Sequence, residues 1–297
     1  MKTLVDLFRT SVAALRLLVV LTVVLGLGYP LLITAVGRVP GLQDRADGSL
    51  IKQDGKVIGS RLIGQDFTGR DGNPLPQYFQ PRPSAAGDGY DPTATSASNL
   101  GPESIVDTLP DPADKTDAGK PSLLTQVCSR SLAVGRFDGV DGARPFCTPD
   151  GVGAVLAVFW SGPGYAGHID RVVSVNQTGT PFISDYHGVA VEPAKFGVDY
   201  SAGQLVPIRG SAAARPAVPA DAVTASGSGL DPDISPAYAA IQLARVAAAR
   251  GVPVDQIRRL VSHYTSGRAL GFLGDRVVNV VQLNQALDRT APVRSGR

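Results

Sequence analysis

The stretch "LLVVLTVVLGLGYPLLITAVG", Leu17 to Gly37, contains no charged residue and lies between Arg16 and Arg38. About twenty apolar residues at a rise of about 1.5 Å each cover a hydrocarbon core about 30 Å thick, which predicts a transmembrane helix with Pro30 placed to kink it. A cleaved signal peptide is the competing reading, because a basic N-terminus precedes the run and "ITA" (Ile33 to Ala35) passes as a small-residue cleavage site. A signal core spans about 7 to 15 residues, and this run is longer than that before the cleavage point, which favours a retained anchor. Lys2, Arg9 and Arg16 precede the span, whereas Arg38 and Arg45 after it are diluted by Asp44 and Asp47. The positive-inside rule then divides the chain into a short cytoplasmic N-terminus (1–12), the transmembrane helix (13–37) and an extracytoplasmic domain (38–297).

With 297 residues and 43% hydrophobic composition the chain has ample material for a packed core beyond the anchor. A net charge of +2 without a basic block excludes a phosphate-backbone grip, so no nucleic-acid partner is expected. The only cysteines, Cys128 and Cys147, can form one disulfide if that part of the chain is outside the cytoplasm. Neither belongs to a CxxC pair or lies close to a histidine, so no metal site is expected.

Outward from the anchor, "GSLIKQDGKVIGSRLIGQDF" (Gly48 to Phe67) alternates around Asp54-Gly55 and predicts a β-hairpin. From Asp71 to Pro92 five prolines make an extended, stiff segment without a regular ladder, yet it carries Tyr78, Phe79, Arg82 and Tyr90. Two readings stand: a pre-stiffened docking segment, or aromatics that pin the loop to its own domain. "DTLPDPADKTDAGKPS" (Asp107 to Ser122) reads as a mobile polar loop whose aspartates supply solvating charge, followed by a short helix at Ser122 to Leu132. Gly151–Trp160, Ile169–Asn176 and Pro181–Val191 read as strands of a small β-rich module. The last third is helical. Ser235-Pro236 caps a helix stopped by Gly251, a second helix fits Val254–Tyr264 around Ile257, Leu260 and Val261, and a third fits Asn279–Asp288 around Val280, Leu283 and Leu287. The fold class is α+β: one N-terminal transmembrane helix, then a mixed domain with a β-rich insertion and C-terminal helices.

Catalytic patterns are weak. "GPGYAG" (Gly162 to Gly167) satisfies G-x-G-x-x-G but is followed by β-branched residues instead of a helix, and reads as a hairpin turn. A hydrolase would draw on His168, His187 or His263, with Asp185 beside His187, but there is no nucleophile elbow. A membrane-tethered hydrolase or ligand-binding protein is therefore the alternative reading, and an accessory role the leading one.

Longer blocks carry more. "YPLLITAVGRV" (Tyr29 to Val39), "GSRLIGQDF" (Gly59 to Phe67), "YFQPRPSAA" (Tyr78 to Ala86), "YDPTATSASNLGPES" (Tyr90 to Ser104), "VTASGSGLDPDISPAYA" (Val223 to Ala239), "RVAAARGV" (Arg245 to Val252) and "VVNVVQLNQALD" (Val277 to Asp288) together, and in order, resemble the C subunit of the Kdp potassium-transporting ATPase. The resemblance implies a single-pass, non-catalytic subunit of a high-affinity, ATP-driven potassium uptake complex in a bacterial plasma membrane. Its implied partners are a channel-like potassium-binding subunit, a P-type ATPase subunit and, in many systems, a very small fourth membrane subunit, with the lipid bilayer around the anchor. Potassium is the transported ion. No cofactor is expected in this chain. ATP belongs to the complex, and the family's suggested effect on nucleotide affinity sits badly with an outer domain. Within the matching block Tyr78, Phe79, Arg82, Pro83 and Ser84 are the expected partner-docking residues, although family members usually carry Gly where this chain has Pro81. Most members connect the two matching halves by a short, largely helical segment. Here about 100 residues, roughly 106–216, intervene as an inserted module large enough to fold as a small domain.

Overall fold

The structure is a computed structural model that describes residues 2–86, 91, 93–94, 104–177 and 179–293, and for residues 2–4 the backbone only. The chain divides into two units, Met1–Leu62 and Ile63–Arg297.

In the first unit, helix α1 (Lys2–Leu21) passes through a π-helical segment (Thr22–Gly28) into α2 (Tyr29–Gly37). Pro30 explains the π segment: its ring lacks the N–H that would bond Gly26 and would press on that carbonyl, and widening the preceding turn relieves the clash. Tyr29 N–H accordingly bonds Val24 O, five residues back. The continuous helix from Val5 to Gly37 contains an 18-residue stretch of mean hydropathy 2.4, none of it buried, and is long and apolar enough to cross a membrane. A short α3 (Gln43–Ala46) leads to the hairpin of β1 (Leu50–Gln53) and β2 (Lys56–Ser60). Its turn residues Asp54 (φ 49°) and Gly55 (φ 76°) both take the positive φ that a two-residue type I′ connection requires.

In the second unit, α4 (Leu123–Asp138) is capped by Ser122, whose hydroxyl accepts from Thr125 N–H at 3.2 Å, and ends at the left-handed Gly139. It therefore runs well past the expected end at Leu132. The helix is stapled to the following loop by the Cys128–Cys147 disulfide, with Cα atoms 5.5 Å apart. Then come β3 (Val155–Gly162), β4 (Ala166–Ser174), β5 (Asp185–Tyr186), β6 (Val189–Pro193) and β7 (Gln204–Pro207). They form a sheet of order β5-β6-β4-β3-β7 in which only β4 and β6 run parallel. Both faces of β3 are covered, so Val155, Leu156, Ala157 and Val158 are all fully buried, as a continuous apolar run requires. The glycine motif forms the β3–β4 hairpin turn, with Gly164 and Tyr165 at positive φ. The expected strand Pro181–Val191 is broken into β5 and β6 by a two-residue turn at His187-Gly188.

The loop from Asp107 to Ser122 is closed on itself. Thr108 and Lys120 exchange backbone hydrogen bonds of 2.9 and 2.8 Å. Asp111, Asp114 and Asp117 accept from backbone N–H groups within it; the Thr116 hydroxyl and then the Thr116 N–H hold the Asp114 carboxyl below its usual range, and the Asp111 and Gly119 N–H groups do the same for Asp117. These aspartates thus do more than supply solvating charge.

Finally β8 (Asp233–Ile234), α5 (Pro236–Arg250), α6 (Val254–His263), β9 (Thr265–Ser266), β10 (Val277–Asn279) and α7 (Val280–Thr290) complete the chain, with β10 central in a small antiparallel sheet. Ile234, Tyr238, Leu243, Val246, Ile257, Val278, Leu283 and Leu287 form the core between these helices, and Phe79 is part of it. Val127, Val134 and Val140, on and just after α4, pack against the same cluster.

Candidate functional site

The proline-rich segment crosses this helical core as a strap. An extended chain presents successive N–H and C=O pairs to opposite sides, and among the described residues no strand pairs with Phe79 and Gln80 to receive them. Two buried side-chain amides take that place. Asn284 of α7 accepts from Phe79 N–H and donates to Phe79 O, both at 2.9 Å. Gln242 of α5 accepts from Gln80 N–H at 2.7 Å and donates to Gln80 O at 3.2 Å. Each amide has one donor group and one acceptor suited to mimic a ladder neighbour, so both are satisfied although almost fully buried.

Two arginines of α5 fasten the strap upstream. Arg245 donates to Pro76 O (2.7 Å), Tyr78 O (2.8 Å), Gln242 Oε1 (2.8 Å) and Asp138 Oδ1 of α4 (2.7 Å), with its guanidinium 4.2 Å from the Phe137 ring centre. Burial pushes the Asp138 carboxyl up from its usual value, against the opposing pull of Arg245. Arg250, whose side chain is 0% exposed, donates to Gln77 O (2.7 Å), Ala291 O (2.8 Å) and Asp288 Oδ1 (2.9 Å). The Tyr78 hydroxyl donates to the other Asp288 oxygen at 3.1 Å, and desolvation followed by the Asp288 charge raises that phenol's pKa.

The expected docking residues therefore occupy different environments. Phe79 is 0% exposed and spends its side chain on the core. Tyr78 is half-buried between Phe67, Arg250 and Asp288. Arg82 pairs with Asp231 at 2.7 Å and reaches Thr224 O, while Pro83 O accepts from Ser226 N–H at 2.7 Å and Ser84 bridges to Ser226. Arg82, Pro83 and Ser84, with Gln65, Asp66 and Gly229, line an open cleft of about 150 Å³. Tyr90 lies outside the described residues. Gln242, Arg245, Arg250 and Asn284 escaped the sequence reading. The available signal was polar residues at helical spacing on an apolar face: Gln242, Val246 and Arg250 in α5, and Asn284 between Leu283 and Leu287 in α7.

The histidines are scattered. His168 on β4 contacts Asp170 at 2.8 Å on an exposed surface, His187 sits in the β5–β6 turn against Tyr186, and His263 ends α6 against Tyr264. Among the described residues no group of three or more His, Cys, Asp or Glu is placed to hold a metal.

Among the described residues one helix is long and apolar enough to cross a membrane, and it precedes an α+β domain with a strapped helical core, the build of a membrane protein. The sequence model of a family described as the K+-transporting ATPase, c chain (KdpC), matches residues 11–116 and 202–289. A potassium-transporting ATPase KdpC subunit of Kineococcus radiotolerans is 40% identical over 289 residues, 97% of this chain and 98% of that protein. One from Mycobacterium tuberculosis is 34% identical over 281 residues, 95% and 98% of the two chains. Another from Koribacter versatilis is 33% identical over 291 residues, 97% and 99%. The chain belongs to the KdpC family. Residues 117–201 fall outside the family model, but alignments of this length run through them, so a chain of this extent is common to these relatives.

Proposed function

We propose that this chain is an accessory, non-catalytic subunit of an ATP-driven potassium uptake complex. It would stabilise or assemble a channel-like potassium-binding subunit and a P-type ATPase subunit, which carries the hydrolysis, in a bacterial plasma membrane. The observation that carries the reading is family membership spread over both ends of the chain, residues 11–116 and 202–289, anchor included. The N-terminus is assigned to the cytoplasm and residues 38–297 to the outside. The arginines ahead of the span support that orientation, and so does the Cys128–Cys147 disulfide, a bond that persists in oxidising compartments. Of the strap residues, Arg82, Pro83 and Ser84 face the cleft and are the ones presented to a partner, with Phe79 and Tyr78 holding the strap from within. The inserted module, roughly 106–216, is assigned a supporting role because α4 within it packs on the helical core.

A mild-detergent pull-down of the chain from its native membrane, followed by mass spectrometry, tests this reading. Recovery of a P-type ATPase and a channel-like potassium subunit in comparable amounts is the expected result. An intact, stable chain recovered alone would refute it.

A further inference from the structure

Every residue from Ser266 to Arg276, where the chain passes from β9 to β10, is exposed, and three of them are large and apolar. Leu270 is 82% exposed, Phe272 70% and Leu273 51%, whereas Phe8 in the apolar N-terminal helix reaches 70%. One exposed leucine is ordinary, but three on a single loop tip mark an interaction site. The tip is firmly built. Ala269 and Leu273 exchange both backbone hydrogen bonds at 2.9 Å, and Gly271 N–H and Phe272 N–H reach back to Arg268 O and Ala269 O at 3.1 and 3.2 Å. Leu270 is held at φ 53°, a left-handed conformation unfavourable for a residue with a Cβ, next to Gly271 at φ 82°. No side chain at this tip is buried inside the chain itself, so its strained, defined shape serves something outside it.

Charge narrows the occupant. Arg268 and Arg276 flank the apolar tip; Arg268 touches the exposed Asp275 only at 3.5 Å, and Arg276 has no ion pair among the described residues. Such a tip complements an apolar pocket with carboxylates on its rim. A bilayer surface would also accept apolar and basic groups, but it has no fixed shape to reward a preformed loop, whereas a protein pocket does. The loop also lies within residues 202–289, in the part of the chain that matches the c-chain family, and not in the stretch outside it. We infer that the Arg268–Arg276 loop is a docking plug, with Leu270 and Phe272 entering an apolar, acid-rimmed pocket on another subunit of the ATPase. The inference rests on the subunit reading above and adds a second contact surface to the cleft at Arg82, Pro83 and Ser84.

The test uses the full chain in its native membrane. The double variant Leu270→Asp with Phe272→Asp is compared with wild type and with Phe196→Asp, a control at another exposed apolar residue. Partner subunits recovered in the pull-down are expected to fall about tenfold or more for the double variant and to stay unchanged for the control. Because Leu270 and Phe272 are 82% and 70% exposed, the purified double variant should keep the wild-type thermal midpoint. A photo-crosslinking amino acid at position 272 should form an adduct with a partner subunit. Recovery within about twofold of wild type, or an adduct only to phospholipid, only to a second copy of the chain, or to nothing, overturns the proposal. If wild type itself recovers no ATPase subunit, it is the subunit reading that has failed.

Discussion

Arg250 occupies the buried face of α5, where Ala239, Leu243 and Val246 set an apolar pattern, and three oxygens converge on its guanidinium. A planar fork with five donors reaches all three at once, and an ammonium on a flexible stem does not. Arg250→Lys should therefore destabilise the domain by about 2–4 kcal/mol despite keeping the charge, read as a shift in the urea midpoint at unchanged slope. Tyr238 supplies a second residue-level test. Its phenol is buried, and desolvation followed by the nearby Asp138 charge raises its pKa. A phenol whose folded pKa lies above the unfolded value near 10 contributes stability that is intact below about pH 10 and is lost as pH climbs above it. Thermal midpoints should fall as pH rises from about 9 to about 11, and Tyr238→Phe should remove a part of that slope that averages about 0.7 kcal/mol per pH unit over this range and approaches about 1.4 kcal/mol per pH unit only above it, where the unfolded phenol is fully ionised. The raised Tyr78 phenol acts in the same direction, so part of the slope should survive in the variant.

Elements whose signals are short-range were legible from sequence, and elements set by distant partners were not. The Ser235 cap accepts from Tyr238 N–H at 3.0 Å, Gly251 stops α5 at φ 64°, and the Asp54-Gly55 turn closes β1 and β2, each decided within a few residues. The strap had two open readings because its ladder partners, Gln242 and Asn284, lie more than 150 residues away in sequence and no local pattern points to them. Helix α4 was read short for a similar reason. Its last turns contain Gly135, a weak helix former, and what makes that glycine necessary is the loop after the helix. A Cβ on Gly135 would meet Gly142 Cα at 2.6 Å and Val140 O at 2.9 Å, all of them backbone atoms. In an isolated helix Gly→Ala stabilises by about 1 kcal/mol, but here the clash should reverse the sign. Gly135→Ala is expected to destabilise by about 1–3 kcal/mol, and an unchanged or raised thermal midpoint would show that the loop simply moves aside.

For the whole molecule, the part of the chain outside the family model is less separable than an insertion suggests. Residues 117–201 include α4, and α4 supplies both Cys128 of the disulfide and Asp138, which pairs at 2.7 Å with Arg245 of the family-matched α5. The Arg245 side chain is 7% exposed and that of Asp138 2%, so removing the helix leaves a buried cation without its carboxylate. Breaking a buried pair from one side costs about 3–5 kcal/mol, and losing a bridge over a loop of this size about 3 kcal/mol more, out of a total domain stability of about 5–15 kcal/mol. The sheet is different. Ile208 N–H bonds Ala154 O at 2.8 Å, and Ala154 N–H bonds Phe146 O at 2.8 Å, so the chain enters and leaves the strands at one place. Replacing Val155–Pro207 by a short glycine-containing turn should therefore leave α4 through α7 folded. The lowered midpoint and solubility expected of that variant follow from Ile105, Val106, Leu109 and Leu124, which lose the sheet face they pack against. Deleting 117–201 outright should abolish cooperative unfolding altogether. Circular dichroism melts of the two detergent-purified deletion chains decide the matter: a cooperative transition in the second, or none in the first, would mean that α4 belongs to the sheet and not to the helical core.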